Sequence, residues 1–173
     1  HMAINPNELK IVDLDGCHDE SFDVEIDDDV FVECYEIADQ FSDLVKDSGI
    51  RMLRSDWPVS ALIDKEGNIY GGIFGSYQML ETDINDDYIE DMIQILTFSI
   101  VINSSVRGIG LAERMIRDLV KNKSSHVKLR ADVVNPLVIK ILEKIGFERI
   151  YPEGYLNRMI YEFIEFEKMI SSN

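Results

Sequence analysis

The sequence predicts an α/β domain of the α+β kind, on three observations between Ile95 and Phe147. An apolar run, Ile100-Val101-Ile102-Asn103, leads to a glycine-containing turn, Arg107-Gly108-Ile109-Gly110-Leu111-Ala112, and a helical pattern follows at once. A second strand pattern and a second helical pattern come directly after it. The unit reads strand, turn, helix, strand, helix.

Taken in chain order, Cys34, Ile37, Ala38, Phe41 and Val45 form a helical stripe that ends near Ser48-Gly49. Val59 to Asp64 and Ile69 to Met79 are β-rich runs on either side of the polar turn Asp64-Lys65-Glu66-Gly67-Asn68, which predicts a hairpin. After the turn at 107–112, Ala112, Met115, Ile116, Leu119 and Val120 recur at i, i+3, i+4, i+7, i+8, with Glu113, Arg114, Arg117, Asp118 and Lys121 on the other face. Val127 to Val133 alternates as a half-buried strand does. The last helix opens at Asn135-Pro136, a capping residue followed by proline at the first helical position. Val138, Ile141, Leu142 and Ile145 give its apolar stripe, and Gly146 stands where a C-terminal cap belongs.

The turn is the candidate site. A strand feeding a helix through small residues leaves the first-turn N–H groups unpaired and backed by the positive end of the helix dipole, which makes an anion cradle. Glycine admits a phosphate close to the backbone and tolerates positive φ. A dinucleotide-binding crossover would use Gly108, Gly110 and the later Asp132, but its third glycine position is Glu113. A Walker A loop would need Gly-Lys-Ser/Thr, which the turn lacks.

Two motifs together resemble the GNAT superfamily of N-acetyltransferases. Arg107, Gly110 and Ala112 fill the defined positions of its Arg/Gln-x-x-Gly-x-Gly/Ala signature, and Asn135-Pro136 with Glu143-Lys144-Ile145-Gly146-Phe147 is similar to its Asn…Glu-Lys-x-Gly-Phe ending. The resemblance covers roughly Val59 to Phe163. It implies a mixed, mostly antiparallel central sheet, splayed at the acetyl-CoA site and flanked by helices, with Leu9 to Leu14 as first strand and Tyr155 to Phe163 as last. It also implies acetyl-CoA as co-substrate. The backbone of Ile100, Val101 and Ile102 would contact pantetheine and thioester, the amides of Arg107, Gly108, Ile109, Gly110, Leu111 and Ala112 would hold the pyrophosphate, and Asn135 would contact the pantetheine arm.

Composition narrows the partners. With 33 acidic against 17 basic residues the formal net charge is -16, which disfavours direct nucleic-acid binding because phosphates need clustered Lys and Arg. Acid concentrates between Asp13 and Asp29 and between Glu81 and Asp91. Such clusters fit attraction of a cationic amine substrate, whether small molecule, peptide or protein, and equally fit solvated loops that keep the chain soluble. The run Asp83 to Tyr88 lacks the glycine and terminal glutamate of a calcium loop, and no metal is expected. No apolar run approaches the ~20 residues that span a bilayer. Cys17 and Cys34 read as reduced thiols of a cytoplasmic protein, and His18 and His126 as structural or exposed. His1-Met2 reads as a cloning remnant ahead of a single domain, 3–173, and the family's frequent dimers suggest a homodimer.

One departure bears on catalysis. Many members of the family carry a general-acid tyrosine where this chain has Leu142, and leucine cannot protonate a thiolate. Tyr151, Tyr155, Glu81 and Ser99 are the candidate replacements; without one, the thiolate leaves to solvent or the protein binds CoA with weak turnover. If Tyr155 is the acid, Tyr155→Phe lowers kcat by ~100- to 10,000-fold while CoA binding stays nearly intact, because only the hydroxyl is removed. A kcat near wild type, measured where chemistry limits the rate, excludes it.

Overall fold

A computed structural model of the chain describes residues 4–14, 39–50, 56–81, 92–106, 108–124, 127–133, 135–150 and 164–168. The strands are β1 Lys10–Asp13, β2 Trp57–Ile63, β3 Ile69–Glu81, β4 Met92–Ile102, β5 Lys128–Val133, β6 Glu148–Ile150 and β7 Ile164–Lys168. The helices are α1 over 39–47, α2 Leu111–Lys123 and α3 Pro136–Ile145. Hydrogen-bonded neighbours run β1-β2-β3-β4-β5-β7-β6. The β4–β5 pair is parallel, whereas β1–β2, β2–β3, β5–β7 and β6–β7 are antiparallel, so the sheet is mixed and mostly antiparallel as expected. Contacts divide the chain into two compact units, His1–Gly75 with Ile100–Met115 and Ser76–Ser99 with Ile116–Asn173.

In the first unit, β2 is buried without interruption from Val59 to Ile63 because both of its faces are covered. This explains why Val59-Ser60-Ala61-Leu62-Ile63 does not alternate. The hairpin turn is fixed by Asp64, whose carboxylate accepts from the backbone N–H groups of Glu66 and Asn68, each at 2.9 Å, from Asn68 Nδ2 at 3.0 Å and from the Tyr70 hydroxyl at 3.1 Å. These bonds, that from the Asn68 side chain first, hold its pKa below the ordinary carboxylate value against some desolvation.

Two adjacent glycines on β3 then decide how the helices pack. Gly71 pairs with Leu62 and Gly72 with Ala61, so the two point to opposite faces. A Cβ on Gly71 would lie 2.8 Å from Ile102 Cδ1, 3.0 Å from Met115 Sδ and 3.3 Å from the Val101 carbonyl oxygen. A Cβ on Gly72 would overlap the ring of Phe41. Phe41 is fully buried, meets Phe74 edge-on with centroids 6.2 Å apart, and shares a core with Leu14, Leu44, Val45, Ala61, Ile63, Ile69 and Val101. Of the expected helical stripe from Cys34 to Val45, Phe41 and Val45 are buried; Cys34, Ile37 and Ala38 lie outside the described residues.

In the second unit, Ile116 and Leu119 of α2 are buried, as are Leu129, Ala131 and Val133 of β5, while Lys128, Arg130 and Asp132 take the other face of that strand. Helix α3 is capped as its sequence predicts. Asn135 Oδ1 accepts from the Leu137 amide at 3.0 Å, Pro136 follows, and Gly146 adopts φ 113° while its N–H bonds the carbonyls of Leu142 and Glu143. Its apolar face is wider than the expected stripe: Ile139 is buried beside Leu142, while Val138, Ile141 and Ile145 are half-buried. Phe147 then packs on Phe98 with centroids 6.0 Å apart.

The last described strand, Ile164–Lys168, pairs with β6 just after Phe147, the neighbour expected for the last strand. Residues 155–163 lie outside the described set. Ile164-Glu165-Phe166-Glu167 alternates cleanly, which suits it to register against β5 on one side and β6 on the other.

Overpacking at Gly72 is expected to cost about 1–3 kcal/mol for Gly72→Ala, because the obstacle is an aromatic ring locked in the core. Gly71→Ala should cost less, since two of its three neighbours are ends of flexible side chains. Urea unfolding midpoints measure both, and Phe41→Leu should restore part of the Gly72→Ala loss. Equal midpoints for wild type and Gly72→Ala would contradict this packing.

Candidate functional site

The site begins where β4 ends. Val101 is 3% exposed and belongs to the core of the first unit, which fixes the strand end, while Ile100 and Ile102 are half-buried. The Asn103 amide donates to the Tyr70 carbonyl at 2.8 Å, so Asn103 still follows β3. Its side-chain oxygen accepts from both the amide and the hydroxyl of Ser105, at 2.9 and 2.8 Å, and its carbonyl accepts from the Val106 amide. These bonds turn the chain through a short 3₁₀ segment, Ser104–Val106.

Beyond it, Val106 and Leu111 are buried at either end of an exposed tip. Gly108 and Gly110 both have positive φ, 86° and 77°, and a Cβ on either would meet nothing within 4 Å. Their need for glycine is therefore conformational, since no described residue beyond their chain neighbours would crowd a Cβ there. Ile109 between them is 45% exposed. The Gly110 carbonyl accepts from the Arg114 amide at 3.1 Å, the first hydrogen bond of α2, so the amides before Arg114 form the first turn of the helix. An anion approaching here meets backbone N–H groups and the positive end of a helix that runs to Lys123. Arg107 lies outside the described residues.

The other candidates are distributed as follows. Asn135 is exposed at the α3 cap, its side-chain oxygen committed to Leu137. Leu142 is fully buried. Glu81 is the last residue of β3, with only its backbone described, and Ser99 is half-buried on β4. Tyr151 and Tyr155 lie outside the described residues. The described parallel ladder runs from Ile95↔Lys128 to Phe98↔Ala131, while β4 continues to Ile102 and β5 to Val133. On β5, Asp132 stands 4.0 Å from Arg130 Nε; desolvation raises its pKa, and the guanidinium opposes the rise. Desolvation, assisted by Arg130, lowers the pKa of Lys128.

Arg114 is exposed, as its spacing predicts, but its guanidinium is engaged. Placed on the solvent face by its spacing, it donates from Nη1 to the Pro6 carbonyl at 2.9 Å and from Nη2 to the Leu9 carbonyl at 2.6 Å. Backbone partners leave no trace in a side-chain pattern.

No protein-family model matches the chain, and no curated protein matches it. Solved structures do. The chain is similar to AtaT complexed with acetyl-methionyl-tRNAfMet, at 13% identity over 93% of this chain and 94% of that one, with a TM-score of 0.52. It is also similar to a GCN5-related N-acetyltransferase from Kribbella flavida, at 14% identity over 95% of this chain and 99% of that one, with a TM-score of 0.50. At such identities the likeness is one of backbone, and it establishes that the chain has the GNAT fold.

Proposed function

We propose that the chain is an acetyl-CoA-dependent N-acetyltransferase, moving an acetyl group to a primary amine of a small molecule, peptide or protein by direct attack in a ternary complex. The observation that carries this reading is the Gly108–Gly110 turn between β4 and α2, whose open, positive-φ glycines suit close approach of a pyrophosphate. In an acidic protein a polyanion is best held by backbone amides, since they supply positive potential without depending on the net charge. The amides from Arg107 to Ala112 would take that role, the backbone of Ile100, Val101 and Ile102 would align the thioester arm, and the amide nitrogen of Asn135 would complete the contacts.

The chemistry is a substitution at the thioester carbon. A neutral amine forms the new N–C bond, the C–S bond breaks, the nitrogen gives up one proton and the departing thiolate takes one up. Acidic side chains would attract an ammonium acceptor. The candidate proton carriers Tyr151, Tyr155 and Glu81 belong to this proposal, as do the single domain over 3–173, the cytoplasmic setting and the homodimer. Among the described residues no helix is long and apolar enough to cross a membrane.

A second reading has one observation in its favour. Leu142 is aliphatic and fully buried where the family's tyrosine is expected, which supports a CoA-binding or acidic protein-interaction module with weak turnover.

Thiol release from acetyl-CoA over a panel of polyamines, lysine peptides and peptides with free N-termini separates the two. Release with at least one amine, and a melting temperature raised by CoA, is the expected result. Binding without release supports the second reading, and no thermal shift with no heat of binding at millimolar CoA refutes both.

Gly110→Glu puts a bulky anion in the cradle and should weaken CoA binding by at least ~100-fold, about 2.7 kcal/mol, with the fold kept. Unchanged affinity in a folded variant would move the pyrophosphate elsewhere.

A further inference from the structure

We infer that Arg114 is a positioning residue that couples docking of the 4–14 segment to anion binding at the Gly108–Gly110 turn, an inference that rests on the CoA reading above. One residue joins the two. Its amide makes the first hydrogen bond of α2, to the last carbonyl of the turn, while its guanidinium holds the carbonyls of Pro6 and Leu9, 108 and 105 residues earlier in the chain.

The N-terminal segment is built to be held there. Asn5 Oδ1 caps the 3₁₀ turn Pro6–Glu8, the Leu9 amide bonds the Pro6 carbonyl at 3.2 Å, and the Leu9 side chain is 2% exposed. Both acceptors of the fork are thus presented by one short, closed piece of backbone. Beyond it, β1 pairs with β2 from Lys10↔Ile63 to Asp13↔Ser60, and the Leu14 amide reaches the Val59 carbonyl at 2.8 Å.

The chemistry of the fork gives it two effects on the turn. A planar guanidinium reaches two carbonyls at once, which an ammonium on a flexible stem does less well, so the first turn of α2 is tied down in orientation. Its described partners are carbonyl oxygens, which do not offset the positive charge as a carboxylate would. A cation in the first turn opposes the helix dipole when the cradle is empty and favours an anion when it is filled. Anion binding and segment docking therefore stabilise each other, and by linkage the coupling is the same in both directions.

The test uses the full chain with CoA and pantetheine, the latter lacking the pyrophosphate, and hydrogen exchange over residues 4–14. In wild type, CoA should slow exchange in this segment and pantetheine should not. Arg114→Ala should weaken CoA binding by about five- to tenfold, leave pantetheine binding unchanged and abolish the protection, a size at the lower end of measured couplings. Arg114→Lys should recover part of the affinity, through its charge, without the protection. Leu9→Ala, which loosens the segment while keeping both carbonyls that Arg114 holds, should also lose CoA affinity selectively and serves if Arg114→Ala does not fold. Wild-type CoA affinity in folded Arg114→Ala, equal losses for CoA and pantetheine, or no protection in wild type would each overturn the coupling while leaving the CoA site intact. Absence of CoA binding to wild type would instead remove the functional proposal and this inference with it.

Discussion

The close approach of two helices to the backbone of β3 at Gly71 and Gly72 is the constraint on which the first unit depends. The pair faces opposite ways, so one missing side chain admits Met115 of α2 and the other admits Phe41 of α1. Met115 lies one turn beyond the start of α2, and its depth against β3 sets how far that helix sinks. The depth of α2 in turn sets where the Gly108–Gly110 tip stands relative to the end of β4, since Val106 and Leu111 are buried on either side of it. Packing thus reaches the candidate site along α2.

Charge and backbone divide the work at that site. The chain carries a large negative excess, yet the cradle is made of amides, whose dipoles are fixed by geometry and are indifferent to the acidic composition elsewhere. On the proposed function, this separation would let an acidic surface suit a cationic acceptor while the turn suits an anion. Ile109, between the two glycines, leaves an apolar side chain exposed beside the amides.

Much of this was legible in the sequence wherever the cause is local. The α3 cap by Asn135, the proline after it and the left-handed Gly146 are decided within one helical turn, and all three stand where they were expected. The β2–β3 hairpin around Asp64 and the parallel crossover from β4 through α2 to β5 follow from the same short-range rules. What escaped depends on partners far along the chain. Arg114 bonds two carbonyls near the N-terminus, and carbonyls carry no residue identity. The ladder partners of Ile164–Lys168 likewise lie on two separate earlier strands, β5 and β6. Adjacent glycines inside a β-rich run did offer a signal, since such residues mark close approach of another element. At the candidate catalytic positions the gap is chemical: Leu142 removes the tyrosine that the motif would have named.

The two ends of the strand order, β1 with four residues and β6 with three, are the shortest strands described. Each shows charge at its margins, Lys10 and Asp13 on one and Glu148 and Arg149 on the other, all exposed. A short, charged rim offers another chain few unpaired amides to template on, so growth of the sheet from copy to copy is discouraged at both limits. Among the described residues, these two ends therefore give main-chain pairing, which accepts nearly any extended segment, little to build on, whereas side chains on a helix or sheet face would let a partner be chosen.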